Sequence, residues 1–340
     1  MIRLLFLLFP LFSFGQFYKY ATIYGGISTN STIAPLETYS YINNQLIETT
    51  PDDGANYRYF VGIKKLSRFK FERKPKFYYD GQEENASIFR SPVDNFEYLL
   101  QYERIKHFGR EYENHNIWLR YIGKYTSTKI ESSNNGYIDL NYKSLDLRFK
   151  YDLRAFRASV GIITRYHPVY GLNPFKIDFP NYNDFEAVAT SLGYQKEFYF
   201  IDENQNNHLD RLEQSFYRWI LNGDTVAQNT AQFQQYYATI PAQYNRNKLA
   251  ELGNQYTFSG VIGLSYYIYR DSFFILAYGN CFFINRKLTE YGSETYDYDF
   301  GVIANYKLNR SLSFYTQLEY LNYFKRENKT INLGINLIII

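Results

Sequence analysis

The sequence is poor in cysteine, methionine and long apolar segments. Cys281 is the one cysteine, which excludes an intrachain disulfide and a cysteine-based zinc site. Beyond the N-terminus, no segment approaches the ~18 consecutive apolar residues that a transmembrane helix needs. The formal net charge of +3 is small and dispersed, so composition gives no support to nucleic acid as a partner.

Catalytic motifs are also missing. The four histidines are scattered, and no HExxH, GxSxG or P-loop pattern occurs. A membrane-embedded hydrolase would need a serine–histidine pair, for which Ser159 or Ser265 with His115 or His167 are the candidates. Nothing in the sequence supports that pairing, so the chain is predicted not to be an enzyme, and a hydrolase remains the third alternative.

Aromatic residues are abundant, with 38 tyrosines and 29 phenylalanines, and they recur with a period of two. This alternation predicts β-strands with one apolar face. It is clearest at Tyr256, Phe258, Ile262, Leu264, Tyr266 and Ile268; at Tyr296, Tyr298, Phe300, Val302, Ala304 and Tyr306; and at Ile331, Leu333, Ile335, Leu337 and Ile339. Near residue 143 the apolar parity changes, which predicts a β-bulge between Tyr142 and Leu145.

Strand length and the asymmetry of the connections predict the fold class. Short turns are expected near residues 152–154, 270–272 and 309–310, and long polar connections near 28–55, 80–93 and 168–254. This pattern is typical of an antiparallel transmembrane β-barrel, all-β, with about twelve strands and a small helical or loop insert. A secreted β-sandwich is the alternative. The expected strands are 17–27, 56–66, 69–79, 94–106, 115–132, 137–153, 156–167, 255–270, 272–285, 295–307, 312–325 and 328–339.

Both ends of the chain fit a protein exported to an outer membrane. Residues 1–15 have one positive charge, an apolar run and Ser13-Phe14-Gly15, which predicts a signal peptide cleaved before Gln16. The mature barrel is then expected to span residues 16–340. The last strand resembles the C-terminal strand that outer-membrane barrels offer to their assembly machinery, with Ile340 in place of the usual aromatic residue. The Tyr- and Asn-rich strands resemble outer-membrane proteins of the Bacteroidetes type.

Residues 202–213 carry oxygen ligands at the spacing of an EF-hand loop. Side-chain oxygens stand at positions 1, 3, 5, 9 and 12, and position 7 would supply a backbone carbonyl. The segment resembles EF-hand and dockerin-type calcium loops, although Asn207 replaces the usual glycine at position 6. A polar surface loop is the alternative. The predicted Ca²⁺ ligands are Asp202, Asn204, Asn206, His208, Asp210 and Glu213.

This motif lies within residues 168–254, which do not alternate and are predicted to form an extracellular insert. Spacing of Leu212, Phe216, Trp219 and Ile220 predicts a helix over 211–221 that Asn222-Gly223 ends. A second helix is expected over 245–252, ending at Gly253. Residues 185–199 are expected to form a strand that leads into the calcium loop.

Charges on the polar face of the strands are expected to line the lumen: Glu97, Arg120, Lys124, Asp146, Arg148, Lys150, Arg157, Arg165, Asp297, Asp299 and Glu319. Either they line a polar pore or their ion pairs close the lumen. The first hypothesis is therefore a passive channel for small solutes with a calcium-stabilised insert, located in the outer membrane. A non-conducting barrel that displays the insert for adhesion or assembly is the second. The expected partners are outer-membrane lipid, the barrel assembly machinery, calcium and small solutes.

Overall fold

The computed structural model describes most of the chain after residue 15. The described residues are 16–30, 38–42, 45–49, 56–73, 76–90, 96–110, 115–126, 129–132, 136–153, 155–169, 174–179, 185–201, 205, 215–270, 272–285, 296–323 and 326–339.

Strands dominate these residues. In chain order they are β1 (Gln16–Asn30), β2 (Thr38–Ile42), β3 (Gln45–Thr49), β4 (Asn56–Arg73), β5 (Lys76–Arg90), β6 (Phe96–Arg110), β7 (His115–Thr126), β8 (Lys129–Glu131), β9 (Tyr137–Asp139), β10 (Tyr142–Leu153), β11 (Phe156–Pro168), β12 (Tyr194–Phe200), β13 (Ser215–Leu221), β14 (Asp224–Ala227), β15 (Asn254–Arg270), β16 (Phe273–Asn285), β17 (Tyr296–Lys307), β18 (Leu312–Tyr323) and β19 (Arg326–Ile339).

Twelve of the described strands form a closed antiparallel barrel, as the sequence predicts. Their order around the barrel is β1, β4, β5, β6, β7, β10, β11, β15, β16, β17, β18 and β19. The first and last strands close the ring through pairs that run from Ala21 with Ile339 to Asn30 with Thr330. Full closure leaves the barrel without the unpaired edge strands that an open sheet presents.

The long connections all lie at one end of the barrel, where the short connections 91–95 and 324–325 also lie. At the end where β1 begins and β19 ends, neighbouring strands are joined by residues 74–75, 111–114, 154–155, 271–272 and 308–311. At the other end lie the longer connections 31–55, 127–141, 169–253 and 286–295. The β2–β3 and β8–β9 hairpins belong to the first two of these long connections.

Alternation places apolar side chains outside and polar side chains inside. On β10, Leu145, Leu147 and Phe149 are exposed on the outer face, whereas Asp146 and Arg148 between them are buried. The same arrangement holds on β15, where the predicted outer residues are all exposed and Thr257, Ser259 and Val261 are buried. The period-two pattern therefore assigns the two faces of these strands correctly.

One predicted boundary is wrong in the β4–β5 region. The expected strands 56–66 and 69–79 and the polar connection 80–93 are in fact two long strands, β4 and β5, that meet at residues 74–75. Cross-strand ion pairs explain why so polar a segment stays in the sheet. Lys64 Nζ lies 2.8 Å from Glu83 Oε1, and Lys65 Nζ lies 3.5 Å from Glu84 Oε2.

The predicted bulge is also wrong. Pairing of β10 with β7 and with β11 is regular from Tyr142 onward. The change of parity arises because the expected strand 137–153 is two strands, β9 and β10, separated at residues 140–141. Strand β9 pairs with β8, so the side chains before and after residue 141 belong to different sheets. The expected strand 115–132 divides in the same way into β7 and β8.

The connection between β11 and β15 folds as a small unit with its own core. It contains the helices α1 (Pro174–Asp178), α2 (Phe185–Ser191), α3 (Thr230–Phe233) and α4 (Thr239–Leu252) and a three-stranded sheet in the order β12, β13, β14. Trp219 on β13 stacks on Phe233 with ring centroids 3.8 Å apart. The other residues of the buried cluster are Phe175, Val188, Ala189, Ala227, Ile240 and Tyr244.

Two predictions for this insert are corrected. Residues 215–221, expected at the end of a helix over 211–221, form β13, and residues 185–191, expected to begin a strand, form α2. Asn222 and Gly223 have φ angles of 54° and 90°, so they turn β13 back onto β14. Asn-Gly is the strongest short hairpin signal, and it outweighs the helical spacing before it. The second helix is confirmed as α4, which starts earlier than expected and ends at Gly253.

Helix α4 packs against several of the long connections at the same end of the barrel. It contacts β2, which follows β1, and β9, which follows β7, while its own chain runs directly into β15. These barrel strands are not neighbours in the ring, so α4 packs against connections that come from separate parts of the barrel. Within the described residues, no helix is long and apolar enough to cross a membrane.

Candidate functional site

The lumen holds the charged side chains that the sequence places on the inner face of the strands. In the middle of β10, Asp146 is 0% exposed and Arg148 is 5% exposed. Arg165 on β11 and Asp297 on β17 are also buried, whereas Lys124 on β7 is exposed. Side chains therefore fill much of the barrel interior around Asp146 and Arg148.

An ion-pair fork between Asp146 and Arg148 forms the centre of this network. Arg148 Nε donates to Asp146 Oδ1 at 2.8 Å, and Arg148 Nη2 donates to Asp146 Oδ2 at 2.6 Å. Arg120 Nη2 on the neighbouring strand β7 lies 3.6 Å from the same Oδ2. A guanidinium fork matches both carboxylate oxygens, which fixes the geometry as well as the charge.

Arg148 also extends along the inner wall to strands that are not its neighbours. Its Nη1 donates to Asn280 Oδ1 on β16, beyond β11 and β15. Gly263 on β15 leaves room for this hydrogen bond, because a Cβ there would lie 3.1 Å from Arg148 Nη1 and 2.3 Å from Asn280 Oδ1. Asn280 Nδ2 in turn donates to Asp299 Oδ1 at 2.6 Å, which continues the network onto β17.

Trp118 on β7 is surrounded by cations. Lys150 Nζ lies 3.6 Å from the centroid of its ring, and the guanidinium carbons of Arg120 and Arg148 lie 4.8 Å and 5.3 Å away. The indole Nε1 donates to Glu103 Oε2 at 3.3 Å. The tryptophan is 4% exposed, so these cation–π contacts form where solvent has little access and are stronger than at a surface.

A second lumen cluster on β1, β4, β5 and β18 is aromatic and was not predicted. Tyr24, Phe60 and Tyr315 meet with ring centroids 6.1 to 6.4 Å apart, and Phe60 packs on Phe89 at 5.3 Å. At the edge of this cluster, the guanidinium group of Arg58 lies over the Phe89 ring. Tyr24 and Phe60 are aromatic residues at positions that face the lumen, and this break in the polar pattern is the signal that sequence reasoning missed.

Four of the predicted lumen charges have no ion-pair partner within 4 Å among the described residues: Lys124, Lys150, Asp299 and Glu319. Asp299 accepts a hydrogen bond from Asn280, and Glu319 accepts one from Tyr278 Oη at 3.0 Å. A buried ionisable group without a counter-charge is solvated by water, meets another ion or becomes neutral.

The serine–histidine candidates do not form a dyad. His167 is buried, and its ring nitrogens hydrogen-bond to Pro168 O at 2.7 Å and Thr257 Oγ1 at 3.2 Å. His115 packs against Phe149 and Tyr151. Ser159 donates to Gly263 O at 3.3 Å. Neither histidine is shown to hydrogen-bond to Ser159 or Ser265.

The predicted calcium ligands Asp202, Asn204, Asn206, His208, Asp210 and Glu213 lie outside the described residues. The structure does describe both flanks of the motif. Phe200 at the end of β12 pairs with Ser215 at the start of β13, so the two ends of the loop leave the sheet side by side. In the part of the chain that is described, no group of three or more His, Cys, Asp or Glu residues forms a metal site.

Comparison with known proteins finds neither a family model nor a curated relative that matches the chain. Solved structures with a similar fold include the translocator domain of the autotransporter NalP from Neisseria meningitidis, which is 8% identical with a TM-score of 0.34 and covers 94% of this chain and 88% of that one. An outer membrane channel from Pseudomonas putida is 8% identical with a TM-score of 0.36, covering 94% and 96%. Outer membrane phospholipase A from Escherichia coli is 10% identical with a TM-score of 0.33, covering 94% and 98%.

Proposed function

We propose that the chain is an outer-membrane β-barrel that acts as a passive channel for small solutes. The outer surface supports a membrane location. Leu145, Leu147, Phe149, Val160 and Ile162 on two adjacent strands are all between 42% and 55% exposed. Soluble proteins rarely expose continuous apolar surfaces of this kind, whereas lipid tails cover them.

The unpaired charges of the lumen are the observation that carries the channel proposal. A barrel interior that serves only stability would pair each buried charge or replace it with apolar residues. Lys150, Asp299 and Glu319 have no such partner among the described residues, so water in the lumen is expected to solvate them. A wet, charged inner wall is the environment that a polar solute needs to cross an apolar membrane.

The asymmetry of the connections supports an orientation. In outer-membrane barrels the short turns face the periplasm and the long connections face outward. On this basis we propose that the insert 168–254 faces the extracellular side, and residues 1–15 stay a predicted signal peptide. The resemblance to Bacteroidetes-type proteins stays a prediction.

We also propose that Ca²⁺ binds the 202–213 loop and stabilises the insert. The pairing of Phe200 with Ser215 supports this, because a single ion can be reached by both Asp202 and Glu213 only if the loop ends are close together. The leaving arm is a strand rather than the helix of an EF-hand, so the loop would close a β-hairpin. Calcium would bind through carboxylate, amide and carbonyl oxygens and would supply structural stability.

Glu213→Gln is expected to abolish calcium-dependent protection of the insert from trypsin. The substitution removes the closing carboxylate, and the loop then loses one of the three formal charges that face the ion. Glu197→Gln is a matched control, because Glu197 lies on β12 outside the motif and its ion pair with Arg218 is exposed. Protection of the parent protein that is the same with and without chelator would contradict the proposal.

A non-conducting barrel that displays the insert is the second candidate. The contacts of α4 with other long connections and the burial of Asp146 and Arg148 inside the barrel favour this alternative. A hydrolase has less support, since the histidine candidates have other partners. Ionic current through a planar bilayer separates the first two: stepwise current supports a channel, and no current at any voltage contradicts it.

A further inference from the structure

The outer face of the barrel has a groove of about 490 Å³ near the end where β1 begins and β19 ends. Its main lining residues belong to two adjacent rows of cross-strand pairs on that face. The row nearer the turns contains Gly25, Ile335, Phe314, Tyr306 and Phe273. The row nearer the middle of the barrel contains Ile27, Leu333, Thr316 and Ala304.

Small side chains in the second row make room for the groove. Ala304 and Thr316 are paired on β17 and β18, and both are only partly exposed. The large side chains of Tyr306, Phe314 and Leu333 around them are exposed on the outer face and form the walls. The volume lies within the range of small-molecule pockets, roughly 300–1,000 Å³. A groove with such walls suits a hydrocarbon chain.

The groove ends at the level of the membrane interface. Tyr306 and Phe314 are separated from the turn 308–311 by one further pair of residues, and Phe273 begins β16. Aromatic residues at strand ends are typical of the boundary between lipid tails and headgroups. A lipid with its tail in the groove would therefore have its headgroup beside the turns 271–272 and 308–311.

Two arginines lie where that headgroup would be. Arg270 pairs with Phe273, so the two side chains share the outer face with Cβ atoms roughly 4.5–5.5 Å apart. Arg310 lies in the turn that joins the strands of Tyr306 and Phe314. Both arginines are exposed, and neither has an ion pair with another described residue. Strand β15 is two strands from β17, roughly 10 Å away, so both long side chains can reach a headgroup that lies between them.

No acidic residue on the described strands β15 to β19 balances these charges. Strands β15 and β16 contain no acid. Asp297, Asp299 and Glu319 on β17 and β18 alternate with the exposed outer residues and face the lumen. Glu327 on β19 lies at the other end of the barrel. An anionic headgroup would therefore meet positive charge here.

We propose that this groove binds one acyl chain of an anionic phospholipid, whose phosphate group lies between Arg270 and Arg310. The site requires the barrel to lie in a membrane and does not depend on the channel function. A second copy of the chain fits the groove less well. Two-fold association through this face would bring the arginines of both copies together, and like charges oppose such an interface.

Native mass spectrometry of the purified barrel in detergent tests the groove. The parent is expected to retain one dioleoylphosphatidylglycerol molecule at lipid concentrations where dioleoylphosphatidylcholine does not bind. Ala304→Phe fills the groove and should remove this bound lipid, and Thr316→Phe is a second filling variant from the neighbouring strand. Ala86→Phe is the matched control, because Ala86 is exposed on the outer face of β5, away from the groove, and should bind lipid like the parent.

Charge-removing variants test the headgroup contact. Arg270→Gln and Arg310→Gln are each expected to lower the preference for phosphatidylglycerol over phosphatidylcholine roughly fivefold, the attraction of one basic residue near a membrane for anionic lipid. Arg246→Gln is the control, since Arg246 is exposed on α4 at the other end of the barrel. Its preference should equal that of the parent.

Equal lipid retention by the folded Ala304→Phe, Thr316→Phe and Ala86→Phe variants would show lipid that merely surrounds the barrel and would overturn the proposal. Heat-modifiable migration identifies the folded variants. A preference for phosphatidylglycerol that survives the loss of both arginines would overturn it as well. A dimer of the parent that Ala304→Phe abolishes would assign the groove to a second copy instead. A barrel that binds lipid as expected but passes no current refutes the channel function and leaves this site intact.

Discussion

Gly26→Ala is expected to destabilise the closed barrel. Gly26 on β1 pairs with Gly334 on β19, at the seam where the first and last strands meet. A Cβ at Gly26 would lie 1.9 Å from the backbone oxygen of Leu333 and 2.7 Å from the Cα of Gly334. These are backbone atoms, so no side-chain rotation relieves the overlap. We expect the free energy of unfolding to fall by about 3 kcal/mol, the upper part of the range for overpacked sites.

Gly260→Ala is the matched control for this prediction. Gly260 also lies within a barrel strand, β15, but a Cβ there would meet no atom within 4 Å. Alanine at that position should leave stability unchanged or raise it slightly, since it restricts the unfolded chain. Urea titration of the two variants in lipid vesicles, followed by heat-modifiable migration, measures the difference. Equal midpoints would show that the seam is not as close as the structure has it.

Asp146→Asn is expected to destabilise the barrel by about 3–5 kcal/mol, the range for removing one partner of a buried ion pair. Asp146 is the shared partner of Arg148 and Arg120, and the first of these is almost fully buried. Asparagine keeps the shape but leaves two guanidinium groups facing a neutral amide. Repulsion between them then adds to the desolvation of Arg148.

Glu197→Gln provides the comparison for an exposed pair. Glu197 and its partner Arg218 in the insert are 47% and 40% exposed at the side chain, so the loss should stay within about 1 kcal/mol. Equilibrium unfolding of both variants under identical conditions measures the two losses. If Asp146→Asn costs no more than Glu197→Gln, the Asp146 network does not stabilise the fold.

The strands of the second half of the barrel were predictable because each has one apolar face in contact with one environment. Ile331, Leu333, Ile335 and Leu337 alternate with polar residues, and the structure places them on the outer face of β19. The same reasoning fails for β5. Its residues 80–85 are polar on both faces, and partners on β4 hold them in the sheet, which no local pattern reveals.

The insert shows a different limit. Residues 215–221 have apolar side chains at helical spacing, and only the Asn222-Gly223 turn indicates the strand that forms. The alternation of side chains along each strand predicted which lysine and arginine residues face the lumen. It did not predict which residues they contact there. Arg148 reaches Asn280 over two intervening strands, and such a contact depends on barrel curvature and on the small residues beneath it rather than on sequence spacing.

Single-channel recording of the purified barrel in a planar lipid bilayer tests the central claim most directly. The protein is reconstituted without its N-terminal segment 1–15 and studied at both polarities over a range of voltages, with heat-denatured protein as the control for the preparation. Discrete, uniform current steps that the control does not give are the predicted result. A folded, heat-modifiable barrel that inserts into the bilayer and gives no current at any voltage would contradict the channel function.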